Sequence, residues 1–264
     1  MAVNIQNGQV KNLHIGPDII TDGLVSWWNV ASIRSYPRTG AVWYDLIKKH
    51  QNNGSLINMS STNFSNEGGG VLLFDAADEV VDIADNSTID FGTNSFTTCV
   101  WTKLQSELTS ASNGGYLLGK RGDGTAGDWA GWQIRARNVG VSRGWVLVDS
   151  GVDDGSTAYM PLTSSIFNFD EWYMISLVHN TDDKYVRLYI NDTLVGARNY
   201  TSLGTISNTI PLEFAGTRYY NHYYYGFPVN SVPCAIGNVA MYQRALTLQD
   251  IIYNWLSRYN AYSS

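Results

Sequence analysis

From Gly23 onward the chain is a succession of short apolar runs separated by clusters of Gly, Asn, Asp and Ser, a rhythm that predicts a β-sandwich or barrel. The clearest run is KYVRLYIND: Val186, Leu188 and Ile190 share one side while Tyr185, Arg187 and Tyr189 share the other, so the strand is half buried. Asn191-Asp192-Thr193 follows, and because Asn and Asp tolerate the left-handed backbone of tight turns, the runs on either side should pair as a hairpin. LVSWWNV (24–30), VLLF (71–74), FTTCVWTKL (96–104), GYLLGK (115–120), GWQIRAR (131–137), GWVLV (144–148), WYMISLVHN (172–180), TLVGARNY (193–200), PLEFAG (211–216) and AIGNVAMYQ (235–243) complete the series. One segment has helical spacing instead. Thr247 and Asp250 can cap one another, Leu246 and Ile251 can form a hydrophobic staple, and Ile251, Ile252, Trp255, Leu256 and Tyr259 fall on one side, which predicts a helix over 247–259 covering an edge or end of the sandwich. Residues 1–22 lack such periodicity and read as an N-terminal arm ahead of a single domain over 23–264.

Composition narrows the picture. A chain of 264 residues with 44% apolar, 13% aromatic and 15% charged residues can bury a large core and does not have the make-up of a disordered protein. A formal net charge of −6 with no basic run argues against a nucleic-acid partner. No apolar stretch approaches the roughly 20 residues that cross a bilayer, so no membrane insertion is expected. The start, MAVNIQNGQVKNLHIGPDIITDG, has neither the basic nor the apolar region of a secretory signal, so assembly in a cytoplasm is the expectation, with an extracellular setting as the alternative. Cys99 and Cys234 lack metal-knuckle spacing and read as two small buried apolar side chains.

DGLVSWWNVASIRSYPRTGAVWYDLIKKHQNNGSLINM resembles the opening of concanavalin A-like, laminin-G-like lectin/glucanase domains, with their "GLV" strand, "WYDL" stretch and "NNG" turn. FDAADEVVDIADNSTIDFGTNSFTTCVWTK is similar to that family's next two strands, KYVRLYINDTLVG to its hairpin, and IGNVAMYQRALTLQDII to its closing strand and helix. The resemblance implies an all-β, two-sheet antiparallel jelly-roll sandwich with one C-terminal helix. It also implies a setting in the structural proteins of tailed bacteriophages, hence a virion component whose arm attaches it to other virion proteins and whose copies form a homo-oligomer. Some domains of that family bind calcium at the rim, but Asn29, Gly237 and Asn238 stand where acidic residues are usual, so no cofactor is expected.

Retaining glucanases of that fold need carboxyl groups roughly 5 to 5.5 Å apart, supplied from one strand. Glu67, Glu79, Glu107, Glu171 and Glu213 are far apart in sequence, so no catalytic residue is assigned and the chain is not expected to be an enzyme. His14, His50, His179 and His222 have neither metal nor triad spacing, and His179, inside an apolar strand, reads as a hydrogen-bonded core residue. The Arg121–Asp128 and Asp149–Gly155 loops read as solvated turns more than as calcium sites. The candidate contact surface is aromatic: Tyr219, Tyr220, His222, Tyr223, Tyr224 and Tyr225 lie between two strands, with Trp129 and Trp132 placed to extend them. Trp27, Trp43, Trp101, Trp145 and Trp172 read as core. Glycan binding through the tyrosines is therefore the expected activity. A structural capsid or tail decoration module without sugar binding, and a secreted polysaccharide-binding protein or glycoside hydrolase, are the alternatives.

Overall fold

The computed structural model describes residues 4–6, 9–11, 19–76, 78–105, 115–121, 130–138, 142–149, 158–161, 168–216 and 233–262. Its strands, in chain order, are β1 (Asn4–Gln6), β2 (Gln9–Lys11), β3 (Leu24–Asn29), β4 (Val42–Trp43), β5 (Gly54–Ile57), β6 (Phe64–Ser65), β7 (Val71–Phe74), β8 (Val80–Ile83) and β9 (Phe96–Leu104). There follow β10 (Gly115–Arg121), β11 (Gly131–Asn138), β12 (Ser142–Asp149), β13 (Ala158–Pro161), β14 (Trp172–Asn180), β15 (Tyr185–Ile190), β16 (Thr193–Asn199), β17 (Leu212–Phe214) and β18 (Cys234–Tyr242), then the helix α1 (Leu248–Tyr262). Among the described residues β1 and β2 pair only with each other. The rest form two antiparallel sheets: β13-β12-β11-β10-β17-β8-β5-β4 in one, and β16-β15-β14-β9-β18-β7-β6, with β3 also on β18, in the other. The chain is thus an all-β two-sheet sandwich with one C-terminal helix, as the alternating runs predict.

The alternation explains the layers. Along β9, Phe96, Val100 and Leu104 join the core between the sheets, while Cys99 and Trp101 turn to the opposite face, where α1 lies. β18 does the same with a register shift between Ile236 and Asn238: Cys234, Ile236, Val239 and Met241 face the inner core, and Ala235, Ala240 and Tyr242 face the helix. At β9 and β18 the helix-side sheet is therefore buried on both faces, which accounts for the near-continuous apolar run of β18. Inside, Trp28 and Trp43 meet the Phe214 ring edge-on at 5.3 and 5.8 Å, contacts worth about 1 kcal/mol each beyond the area they bury.

Of the tryptophans read as core, Trp43 and Trp101 are buried, Trp27 and Trp172 are half-buried on the helix side, and the Trp145 side chain lies outside the described residues. The expected hairpin forms, β15 pairing with β16 through Asn191 at φ 55°. The free thiols of Cys99 and Cys234 are buried on opposite faces of one sheet and so cannot reach each other. His179 is a core residue, its Nε2 2.8 Å from the Tyr200 hydroxyl and its ring against Phe96.

The helix differs from expectation in length and in rotation. It runs to Tyr262, and its buried residues are Ile251, Asn254 and Tyr262, whereas Leu256 and Tyr259 are exposed. Asn254 donates to the Tyr242 hydroxyl at 3.0 Å and accepts from the Ile20 amide at 2.8 Å, and the Tyr262 ring lies 5.0 Å from Trp101 and 4.4 Å from Trp172. These polar and aromatic anchors, not the aliphatic stripe, set which face meets the sheet. Residues 19–22 pack with this layer too: Ile19 is buried in the helix-side cluster, and Asp22 pairs with Arg244 at 2.9 Å.

Candidate functional site

At one end of the sandwich the sheets part around an open cleft of about 630 Å³, within the roughly 300–1,000 Å³ range of small-molecule sites. Its walls come from four places far apart in sequence: His50, residues 87–95 between β8 and β9, residues 180–182 at the β14–β15 turn, and residues 243–245 after β18. The sheet order explains their meeting, because β9 pairs with both β14 and β18. The start of β9 therefore lies beside the ends of those two strands.

Each wall is held by its own chemistry. In the 84–95 segment, Asn86 Oδ1 accepts from the Thr88 amide at 2.9 Å and from the Thr88 hydroxyl at 2.8 Å, an Asx turn read directly from the Asn-Ser-Thr sequence. Ile89 and Phe91 then enter the core, Phe91 stacking on Phe96 at 4.6 Å, so that Asp90 between them is fixed at the cleft. The opposite wall is tied across: the Thr181 amide donates to Ser95 Oγ at 2.9 Å, and the two hydroxyls lie 2.9 Å apart. His50 closes the turn that starts at Ile47, two residues after Asp45. That buried carboxylate accepts from the Trp27 and Ile47 amides at 2.9 Å each, and the Asn52 side chain donates to Ser26 at 2.7 Å and to Thr88 at 2.9 Å. Burial pushes the Asp45 carboxyl up against the opposing pull of these amides.

Arg244 forms the third wall, with its Nε and Nη1 engaged. Its Nε lies 2.9 Å from Asp22 Oδ2, its Nη1 lies 2.9 Å from Asp250 Oδ2, and it also donates to the carbonyls of Asp22 and Ala245. Asp250 in turn accepts from the Thr247 amide at 3.0 Å and donates its own amide to Thr247 Oγ1 at 3.2 Å, the capping box expected from sequence. Burial would raise the Asp250 carboxyl, but the bonds from Arg244 and Thr247 outweigh it and hold it below its ordinary value. Behind Asp90 lies the buried ammonium of Lys120, which donates to Asn208 O at 2.6 Å and Asn208 Oδ1 at 2.9 Å, pairs with Asp85 at 3.0 Å and stands 3.9 Å from Asp90.

The expected aromatic surface is placed only in part. Tyr219, Tyr220, His222, Tyr223, Tyr224, Tyr225 and Trp129 lie outside the described residues, as do Glu107, His14 and most of the Arg121–Asp128 and Asp149–Gly155 loops. Trp132 is in the inner core, 1% exposed and 5.5 Å from Phe96, so it offers no face to a ligand: its strand points it inward where the sequence reading turned it out. The cleft residues Asp90, Asn94, Asp182 and Gln243 were not among the expected candidates. Asp90, Asn94 and Asp182 are marked in the sequence only as members of turn clusters and Gln243 only as the end of a strand run, neither of which carries a chemical signature. Among the described residues, no group of three or more His, Cys, Asp or Glu could hold a metal ion. The positions where calcium ligands would be usual serve the fold: Asn29 accepts from the Ala31 amide, and Asn238 accepts from the Trp27 indole.

A model of the family described as Clostridium neurotoxin, N-terminal receptor binding, matches residues 43–227, most of the chain. Among solved structures, the chain is similar to the binding domain of Paraclostridial Mosquitocidal Protein 1, with a TM-score of 0.65 and 16% identity over 90% of this chain and 53% of that one. It is similar to the ligand binding domain of botulinum neurotoxin serotype D, solved in complex with N-acetylneuraminic acid, at TM-score 0.63 and 12% identity over 90% and 51% of the two chains. Trypanosoma rangeli sialidase, solved with sialic acid, gives TM-score 0.63 and 17% identity over 100% of this chain and 37% of that chain. The chain thus spans about half the length of the binding domains it resembles, or less. No curated protein sequence matches it. These findings correct the likeness to concanavalin A-like and laminin-G-like phage domains. Short alternating strands, an Asn-Gly turn and a closing helix are common to many sandwiches, so they carry the fold class without the family. The virion setting that the likeness implied gains no support from these matches.

Proposed function

This chain belongs to the Clostridium neurotoxin N-terminal receptor-binding family, and from that premise we propose that it is a non-enzymatic recognition module that binds carbohydrate on a receptor. The family match over residues 43–227 carries the reading. The ligand class is taken from two neighbours that share this fold over part of their length, a neurotoxin binding domain and a sialidase, each solved with a sialic acid. Recognition rather than hydrolysis is supported by how the glutamates are engaged. Glu79 accepts from Asn63 at 2.7 Å and from the Asp75 amide at 2.7 Å, Glu67 accepts from Lys103 and Trp172, and Glu171 accepts from Tyr173 and Asn168. Carboxylates so held close loops and sheet edges.

Tyr219 to Tyr225 form the proposed aromatic contact, since a phenol presents a flat face for sugar stacking and a hydroxyl for hydrogen bonding. The test is a glycan array probed with the purified chain, alongside a Tyr223→Ala, Tyr224→Ala double variant. Saturable binding that the variant weakens supports the reading. Release of free sugar from any arrayed glycan, or no binding at all, overturns it.

A further inference from the structure

We propose that the cleft at the sandwich end is a sugar-binding subsite of its own and that it takes a neutral, hydroxyl-rich sugar in place of the sialic acid bound by the neighbours of the same fold. This inference rests on the carbohydrate-binding reading and sharpens it to a site and a ligand class.

The polar groups around the cleft divide into those already bonded within the fold and those left available to a ligand. Among the described residues the Asp90 side chain makes no hydrogen bond: its ion-pair partner is the Lys120 ammonium at 3.9 Å, and that ammonium is already bonded to Asn208 and paired with Asp85. Asp90 is nevertheless fixed, because Ile89 and Phe91 on either side are buried. A fixed carboxylate with open lone pairs accepts from two adjacent sugar hydroxyls with little loss of entropy on binding. Asp182, at the facing turn, has its amide tied to Asn180 Oδ1 at 2.9 Å and its own carboxylate exposed. The side-chain amides of Asn94 and Gln243 line the same cleft, are exposed and have no hydrogen-bond partner among the described residues, so each can both donate and accept. Ser87 and His50 add a hydroxyl and a ring nitrogen.

What the described lining residues do not offer is a free cation. Arg244 is the one Lys or Arg among them, and its charge is already paired with two carboxylates, Asp22 at Nε and Asp250 at Nη1. Lys48 and Lys49 precede His50 in the chain but do not line the cleft. A sialic acid carboxylate entering here would meet Asp90 and Asp182 with no unspent positive charge to offset them, and like charges at short range are repulsive. A neutral hexose finds acceptors, amides and a hydroxyl, and no such penalty. Binding of a neutral sugar should also be insensitive to salt, because no ion pair between protein and ligand is formed.

The experiment titrates the whole chain, by calorimetry and by NMR, with methyl glycosides of glucose, galactose, mannose and N-acetylglucosamine and, separately, with N-acetylneuraminic acid. The same titrations are run on Asp90→Ala and on an Asn94→Ala, Gln243→Ala double variant. The expected result is binding of at least one neutral glycoside, unchanged between low and high salt and weakened roughly tenfold or more by Asp90→Ala, the loss typical of a charge-assisted hydrogen bond. The double variant removes exposed side chains with no hydrogen-bond partner among the described residues, so it reads the cleft even if Asp90→Ala disturbs Lys120. Binding of N-acetylneuraminic acid alone, or neutral-sugar binding untouched by both variants, overturns this inference and leaves the carbohydrate reading standing. No binding of any sugar by the chain overturns both.

Discussion

His179 shows how one buried side chain makes the stability of the molecule depend on pH. Burial holds its imidazole down at about 4, from an ordinary 6.5, because the charged ring would lose its water inside the sandwich. The folded chain therefore refuses a proton that the unfolded chain accepts between those two values. Stability from this group is complete above pH 6.5 and is lost as pH falls toward 4, by about 3 kcal/mol for a shift of that size. Gln in its place can keep a hydrogen bond to the Tyr200 hydroxyl and does not titrate. Urea unfolding at pH 7 and pH 4 should show the stability difference between wild type and His179→Gln moving by about 3 kcal/mol in favour of the variant at the lower pH. A gap that does not change with pH would mean that the ring takes up its proton without unfolding. The core character of this residue was legible from its apolar strand, and its hydroxyl partner was not, since Tyr200 lies beyond the next hairpin.

Among elements, α1 is where sequence pattern and structure part company, and the reason is chemical. Hydrophobic spacing ranks Ile251, Ile252, Trp255, Leu256 and Tyr259 as the buried stripe, but it gives no weight to an Asn that pairs with a buried hydroxyl or to a Tyr that slots against two tryptophans. The Tyr262 slot is built from glycines. A Cβ at Gly237 would fall 1.9 Å from the Tyr262 hydroxyl oxygen, and a Cβ at Gly68, whose φ is +56°, would fall 2.4 Å from its ring. Gly237 is also the point where β18 shifts register, so the glycine that breaks the resemblance to an acidic calcium strand serves to seat the helix. Gly237→Ala should therefore cost about 2 kcal/mol by forcing Tyr262 out of its place, and the cost should vanish in a Tyr262→Ala background. A double-mutant cycle by urea unfolding measures the coupling, and additive costs would show that the helix end is not what the glycine accommodates.

For the whole molecule, the alternating runs were enough to establish two sheets and a closing helix, because a period of two is imposed by the strand itself. They could not identify the family, whose distinguishing features are not in the period. They could not find the cleft either, whose residues come together only through the pairing of β9 with β14 and β18. The boundary between arm and domain has the same origin. The sequence breaks at Gly23, where the strong strand begins, yet Ile19 is 5% exposed and the Ile20 amide bonds to Asn254, a contact across 234 positions that no local pattern contains. Removing residues 19–22 uncovers Ile19's share of the helix-side core, about 2 kcal/mol, and leaves the buried Asn254 oxygen without its partner, about 1 kcal/mol more. The Asp22–Arg244 pair adds little, since Asp22 is 84% exposed. A chain beginning at Gly23 should thus be about 3 kcal/mol less stable to urea than one beginning at Ile19. It should also leave Arg244 with Asp250 as its only carboxylate, so the cleft would gain a partly free cation and begin to tolerate an anionic sugar. Equal stability of the two chains, with unchanged sugar preference, would assign residues 19–22 to the arm after all.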